Sequence, residues 1–508
     1  MRGNRSVRVA MVLCVLAGAA AACSTDDPAR SDGAAVRTRT PVAGSRATAP
    51  PVSAESLGLD LSSQTACDPI GGTATCFLPY PNDHFTVRDD DTDTGRHLVF
   101  DRDHMPANAA GVRVDTAAFT SSDDFSPGSP LLIDLPGLDA KRSRLPGLTD
   151  LDASLAADAP IVLWDATARR RQPYWAELDA LAEDGTPTLI VHPATNFPEA
   201  HRIVVGLRNL VDATGAPLAR TPAFDAYRTG QRTTDTTFEA RRPSMEQVFA
   251  DLGDAGVARN GLQLAWDFTI GSARSIAGRL LAMRDDAFAQ LGNGAPSFTV
   301  ESVVEHPDGD ARIFRQVDGT FSTPLYMTGT GEPGASLVLD ADGAPVRQAG
   351  TFTAPFRCMI PPSATHDSAS GPAVPARMSL YGHGLLGDLG EVGSDMVLDM
   401  GSRNNIVYCA SNLAGMAAED VGNAIGALGD LSRFSHPSGS HPAGCAGVPV
   451  PRAPHDVRAG LLGERGLPGR WIVGAEDRRA VLRRQQPGRH PRRPDRGDLH
   501  RDPAGGAR

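Results

Sequence analysis

SLYGHGLLGD, Ser379 to Asp388, runs an apolar segment straight into a glycine-rich turn. The pattern of Arg377 to Tyr381 predicts a buried strand. Gly382, Gly384 and Gly387 then let the backbone turn sharply with its N–H groups exposed, an arrangement suited to binding an oxyanion. Downstream, Asp395 to Asn404 predicts a helix and Asn405 to Ala410 a second apolar strand. Strand, turn, helix, strand is the order that a parallel α/β sheet requires. The following loop, SNLAGMAAEDV (Ser411 to Val421), falls at the carboxyl end of a strand, where open α/β sheets hold ligands. Asn412 and Asp420 are thereby candidate pocket residues, and each also reads as a structural cap to the next helix.

The His383-Gly384 turn resembles the turn that supplies part of the oxyanion hole in α/β-hydrolases, with His383, Gly384 and Leu385 as the matching positions. The same ten residues also suit a strand-to-helix loop whose glycines serve geometry alone. Further upstream, LPYPNDHF (Leu78 to Phe85) and DDFSPGSPLLIDLPGLD (Asp123 to Asp139) resemble the N-terminal β domain of bacterial surface lipases of the virulence-factor type. HRIVVGLRNLVDATGAPL (His201 to Leu218) is similar to the closing strands of bacterial immunoglobulin-like surface domains. The resemblance implies Ser-His-Asp acyl transfer on an ester or lipid substrate.

At 508 residues the chain has room for several domains. Its net charge of −11 averages an acidic body with an Arg-rich end, and Lys141 is the single lysine. That imbalance points to GC-rich coding, and no nucleic-acid partner is expected. Arg2, Arg5 and Arg8 precede an apolar run from Val9 to Ala22, too short to span a membrane comfortably. The run ends Ala20-Ala21-Ala22-Cys23-Ser24, which resembles a bacterial lipoprotein cleavage box; Cys23 would carry the lipid, giving a membrane-anchored, extracytoplasmic protein. An ordinary secretory signal containing Cys23 is the other reading.

Export makes disulfides expected. Cys67 and Cys76 bracket Gly71-Gly72 and form the first expected pair; Cys358 and Cys409 make a second if their strands are neighbours. No cysteine or histidine spacing matches a zinc site, so neither metal nor cofactor is expected. Asp89, Asp91 and Asp93 before Gly95 resemble the start of a calcium loop, but Thr94 intervenes and Phe100 stands where a glutamate is needed, so a solvated turn is expected. His84, His97 and His104 are expected at the surface.

Between residues 60 and 230, Leu131 to Leu135, Ile161 to Trp164, Thr188 to His192 and Arg202 to Leu207 predict short strands of a sandwich. Ser244 to Leu252 predicts a helix preceded by Pro243, and Leu262 to Thr269 a half-buried strand. Ser272 caps a further helix with Ile276, Leu280, Met283 and Ala287 on one face, and Arg284-Asp285-Asp286 as a solvated turn of it. Phe298 to Ile360 returns to strands.

From Ser435 apolar periodicity stops and Arg and Pro dominate, as in RRQQPGRHPRRP (Arg483 to Pro494). A basic disordered tail is one reading. A shifted reading frame is the other: a GC-rich coding sequence for Val481 to Arg493, read one base later, gives YYDGNSQGGILG, which contains the Gly-x-Ser-x-Gly nucleophile elbow. The same shift turns residues 435–456 into an amphipathic helix pattern. On this reading none of His436, His441, His455, His490 and His500 belongs to a triad, and the chain has no catalytic residues of its own.

The expected fold class is α+β and multidomain. Residues 1–23 form a lipoprotein signal and 24–57 a tether. A β-rich immunoglobulin-like domain with helices covers 58–296, a small β unit 297–370, and an incomplete α/β-hydrolase-like parallel sheet 371–434. Residues 435–508 are expected to be disordered and out of frame. The expected function is that of an exported, lipid-anchored lipase/esterase-like protein, inactive because the nucleophile elbow and the rest of the triad are missing. A cell-surface binding or structural lipoprotein with immunoglobulin-like domains is the alternative.

Overall fold

Turn-forming residues divide the first half of the chain into short strands, which pair into antiparallel sheets. The computed structural model describes residues 50–72, 75–182, 187–364 and 375–433. The expected signal with Cys23, most of the tether and the tail from 435 lie outside them. Strands β1 (Thr86–Arg88) and β2 (Arg96–Leu98) make a hairpin. They are followed by β3 (Leu131–Asp134), β4 (Ile161–Asp165), β5 (Arg170–Arg171), β6 (Tyr174–Leu178), β7 (Thr188–Pro193) and β8 (Arg202–Arg208). Helices α1 (Pro222–Thr229) and α2 (Thr236–Asp254) precede β9 (Leu262–Thr269), and α3 (Ala273–Leu291) follows it. Sheets β3-β7-β6 and β5-β4-β8-β9 share one apolar core that includes Leu131, Val191, Ile161, Val205 and Trp266. The architecture is mixed α/β, with several sheets and few helices.

Two local expectations change. Helix α2 begins eight residues before the expected start and carries Pro243 inside it. Its start is set by Asp235, whose Oδ1 accepts from the Phe238 N–H at 2.8 Å. Phe238, Met245, Val248, Phe249 and Leu252 are all buried, and their packing outweighs the hydrogen bond that proline forfeits. Strand β9 is buried along almost its whole length rather than on one face, because α1 and α2 also pack on it. Gly206 of β8 makes room for that helix layer: a Cβ there would stand 3.0 Å from the Leu252 side chain. Arg202 ties the layers together, donating to Asp251 of α2 at 2.5 Å and to Asp267 of β9 at 2.7 Å.

Ser272 caps α3 as expected, its Oγ accepting from the Ser275 N–H. Of the expected apolar face only Met283 is fully buried, against Leu325, Tyr326 and Met327; Ile276 is largely exposed. Asp286 is not merely solvated, since its Oδ2 accepts from the Tyr326 hydroxyl at 2.6 Å.

The second half builds one five-stranded sheet. Strands β10 (Phe298–Glu305), β11 (Arg315–Pro324) and β12 (Thr351–Ile360) form an antiparallel meander. After β13 (Arg377–Tyr381), α4 (Asp395–Asn404) crosses to β14 (Ile406–Ser411), and α5 (Val421–Gly429) follows. The order is β10-β11-β12-β14-β13, with β13 and β14 parallel and β14 antiparallel to β12. Strands on both sides of residue 370 therefore share a sheet. Cys358 and Cys409 are register partners and form a disulfide, as do Cys67 and Cys76, with Cα separations of 4.0 and 4.5 Å. Val397 and Leu398 of α4 cover one face together with Met359 and Ala410.

The sequence suggests that this sheet ends at Asn405 to Ala410 and that Arg377 to Tyr381 is buried. Instead α4 carries the chain inward, so β14 sits between β12 and β13, and β13 is the edge among the described strands. An edge strand lacks a neighbour on one side, and Leu380 accordingly stays 47 % exposed.

One buried group in the first half opposes folding at high pH. Asp124 is buried, and neither of its carboxylate oxygens has a hydrogen-bond partner among the described residues. Burial, reinforced by the nearby Asp83 carboxylate, pushes it up to about 8. The folded state therefore holds this proton more tightly than the unfolded chain, and the group's effect is a loss of stability as pH rises from its unfolded value near 4 through about 8. Asp124→Asn removes that slope. Relative to the parent, the variant's melting temperature should gain on the order of 5 °C between pH 5 and pH 8.5; parallel melting curves at the two pH values would refute the assignment.

Candidate functional site

The turn after β13 is built by hydrogen bonds that reach forward to the loop after β14. His383 is buried; its Nδ1 lies 2.7 Å from the Gly384 carbonyl, and its Nε2 accepts from the Leu413 N–H at 2.9 Å. Nδ1 thus carries the proton, and both ring nitrogens are engaged. His383 fastens two loops and has no free nitrogen with which to act as a base. Leu386, at φ 59°, donates its N–H to the Met416 carbonyl at 2.8 Å, and the Ala418 N–H returns a bond to the Gly387 carbonyl.

Glu391 fills the inside of the turn. Its Oε2 accepts from the Gly384 N–H at 3.0 Å, and a Cβ on Gly387 would fall 1.9 Å from Oε1, so position 387 admits only glycine while Glu391 stays in place. Among the described residues, the N–H groups of His383 and Leu385 donate to nothing. Leu385 is 73 % exposed. Of the three expected positions, His383 and Leu385 offer unused donors and Gly384 does not.

The two candidate pocket residues take structural roles. Asn412 Oδ1 accepts from the Leu389 N–H at 2.8 Å, and Asp420 Oδ2 accepts from the Ala417 N–H at 3.1 Å. Ser411, at the end of β14, donates its hydroxyl to the Pro355 carbonyl at 2.7 Å. No described residue places a nucleophile and a base within bonding reach at this turn.

A second concave site, of about 370 Å³, opens between the 64–69 segment, Asp83-His84, Arg96, the first half of α2 and Asp267 of β9. Beside it Asp68, fully buried, pairs with Arg241 through both carboxylate oxygens and accepts from Asn82 at 2.7 Å. Burial alone would raise Asp68, but the Arg241 guanidinium and these donors hold it down to about 2. Asp83 shifts the other way: burial and the Asp267 carboxylate push it up to about 6, against Arg96 and two bonds from Thr269. His84, expected at the surface, is instead partly buried; burial drives it below its ordinary value, and its Nε2 is enclosed without a partner among the described residues. His97, by contrast, pairs with Asp89 at 2.8 Å beside the acidic turn. No motif marks this cleft, because its walls come from segments far apart in sequence.

No helix among the described residues is long and apolar enough to cross a membrane. Comparison with protein-family models, with curated proteins and with solved structures finds no match to this chain.

Proposed function

We propose that the chain is an exported protein of the ester-hydrolase, α/β-hydrolase type, catalytically silent in this form because the nucleophile elbow and the rest of the triad are missing. The observation that supports this most is the β13 turn, where two unused N–H donors, at His383 and Leu385, stand at the carboxyl end of a parallel strand with a free edge. A further parallel strand added to that edge would bring its own carboxyl-end turn beside those donors, the relation an elbow serine needs to its oxyanion hole. Exposed apolar side chains support the reading too. Leu380, Leu385, Met396 and Met400 lie around the β13–α4 segment, and Val421, Ile425 and Leu428 fall on one face of α5, surfaces a completed sheet would cover. In this form they favour aggregation.

The substrate class is an ester or lipid, and the anchor is lipid on Cys23, holding the protein at the outer side of a membrane. Metabolic labelling with a fatty acid should mark the chain and be abolished by Cys23→Ala; unchanged labelling would contradict the anchor. The catalytic reading is tested by expressing the 508-residue chain and one with the frame shifted by one base near Phe434, then assaying short- and long-chain ester hydrolysis. Activity is expected only in the second.

A further inference from the structure

The cleft beside α2 is lined by charged groups that are largely satisfied by one another and by hydroxyls that are not. Arg241 is taken by Asp68, and Asp267 by Arg202 at 2.7 Å, so neither pair calls for an ionic ligand. Asp83 and Arg96 stand side by side at 3.7 Å. Among the described residues, Asp83 accepts one bond on each oxygen, both from Thr269, and keeps acceptor capacity, and the Arg96 side chain donates only through Nη1, to Thr86 at 2.8 Å. A carboxylate beside a guanidinium offers an acceptor and a donor to adjacent hydroxyls of one molecule. Around them, the hydroxyls of Thr65, Thr237 and Ser244 have no partner among the described residues and line the same cleft. The rings of Tyr227 and Phe238, buried and stacked on each other 4.1 Å apart, back the cleft.

We propose that this cleft binds a neutral, polyhydroxylated ring, a monosaccharide or cyclitol, with adjacent hydroxyls on Asp83 and Arg96. The volume of about 370 Å³ accommodates one such ring with its bound water. Neutrality follows from the internal pairing of the other charges: a charged ligand would break an existing pair or enter unpaired. The inference stands apart from the hydrolase reading, because it uses no residue of the β13 turn.

The carboxylate is the acceptor, so binding weakens as Asp83 takes up a proton. The charged and titratable groups around it are Arg96 of β2, Asp267 of β9, Asp124 ahead of β3 and, lining the same cleft, Arg241 of α2 and His84. With Asp83 near 6, affinity should be lower at pH 5 than at pH 7.5.

Saturation-transfer NMR on the full chain with D-glucose, D-galactose and myo-inositol, and with glucuronate and glucosamine as charged controls, tests this. Transfer to at least one neutral probe is expected, several-fold weaker at pH 5. Ser244→Arg, at an exposed position on α2, fills the cleft and should abolish transfer without lowering the melting temperature. Asp83→Asn should weaken binding and remove its pH dependence. No transfer to any neutral probe, transfer to charged probes alone, or full transfer in Ser244→Arg would each overturn the proposal.

Discussion

Ester hydrolysis should appear when the reading frame is restored near Phe434, and Gly387→Ala in that restored chain should lower kcat by about a hundredfold while KM changes little. The expected loss follows from the turn's construction. A methyl at position 387 would overlap Glu391 Oε1, and Glu391 can move aside only by releasing the Gly384 N–H. That release lets the backbone at 383–385 relax away from the position where an oxyanion would form. Donors aimed at developing charge act in the transition state more than in the bound substrate, so the effect belongs in kcat rather than KM. The substitution also leaves the core untouched, so the variant should remain folded. Equal loss in kcat and in melting temperature would mean that the turn only supports the fold.

Asp68→Ala is the largest expected stability effect, a loss of about 3–5 kcal/mol. Asp68 is fully buried and holds together three stretches of chain: Arg241 of α2, Asn82 beside the β1 hairpin, and the Ile70 N–H at 3.1 Å. Removing the carboxylate leaves a largely buried guanidinium without its bonded countercharge, with only the more distant Asp267 carboxylate acting on it, which costs more than the pair contributes. The same pair sets the acid limit. Because the folded state holds Asp68 at about 2, its stabilisation is complete above the ordinary carboxylate value and is lost as pH falls through about 2. Denaturant melts of Asp68→Ala and of the double variant Asp68→Ala/Arg241→Met test the account, since the double variant should recover much of the loss. A single variant as stable as the parent would contradict it.

What the sequence disclosed was local. Strand, turn, helix and strand from Arg377 to Ser411 were legible because periodicity and glycine placement act over a few residues, and the Cys67–Cys76 disulfide because its loop is short. Sheet order was not, since β14 pairs with β12 across about fifty residues and nothing local marks that choice. Pro243 suggested a helix boundary by its local rule, and the packing of Phe238 overrode it. The cleft was invisible for the same reason: Asp68 and Arg241 are 173 residues apart, and neither belongs to a motif. Of the turn after β13, the residues were legible but not their division of labour, because it is Glu391, seven positions on, that takes the middle donor.

The central claim is that this fold is a hydrolase sheet without its nucleophile strand and the triad residues that follow it. A serine-directed fluorophosphonate probe tests it most directly, applied to the 508-residue chain and to the frame-restored chain, followed by mapping of the labelled residue. The account predicts no labelling of the first and a single adduct on the serine of the Gly-x-Ser-x-Gly segment in the second. An adduct on the 508-residue chain, or none on a folded restored chain, would contradict it.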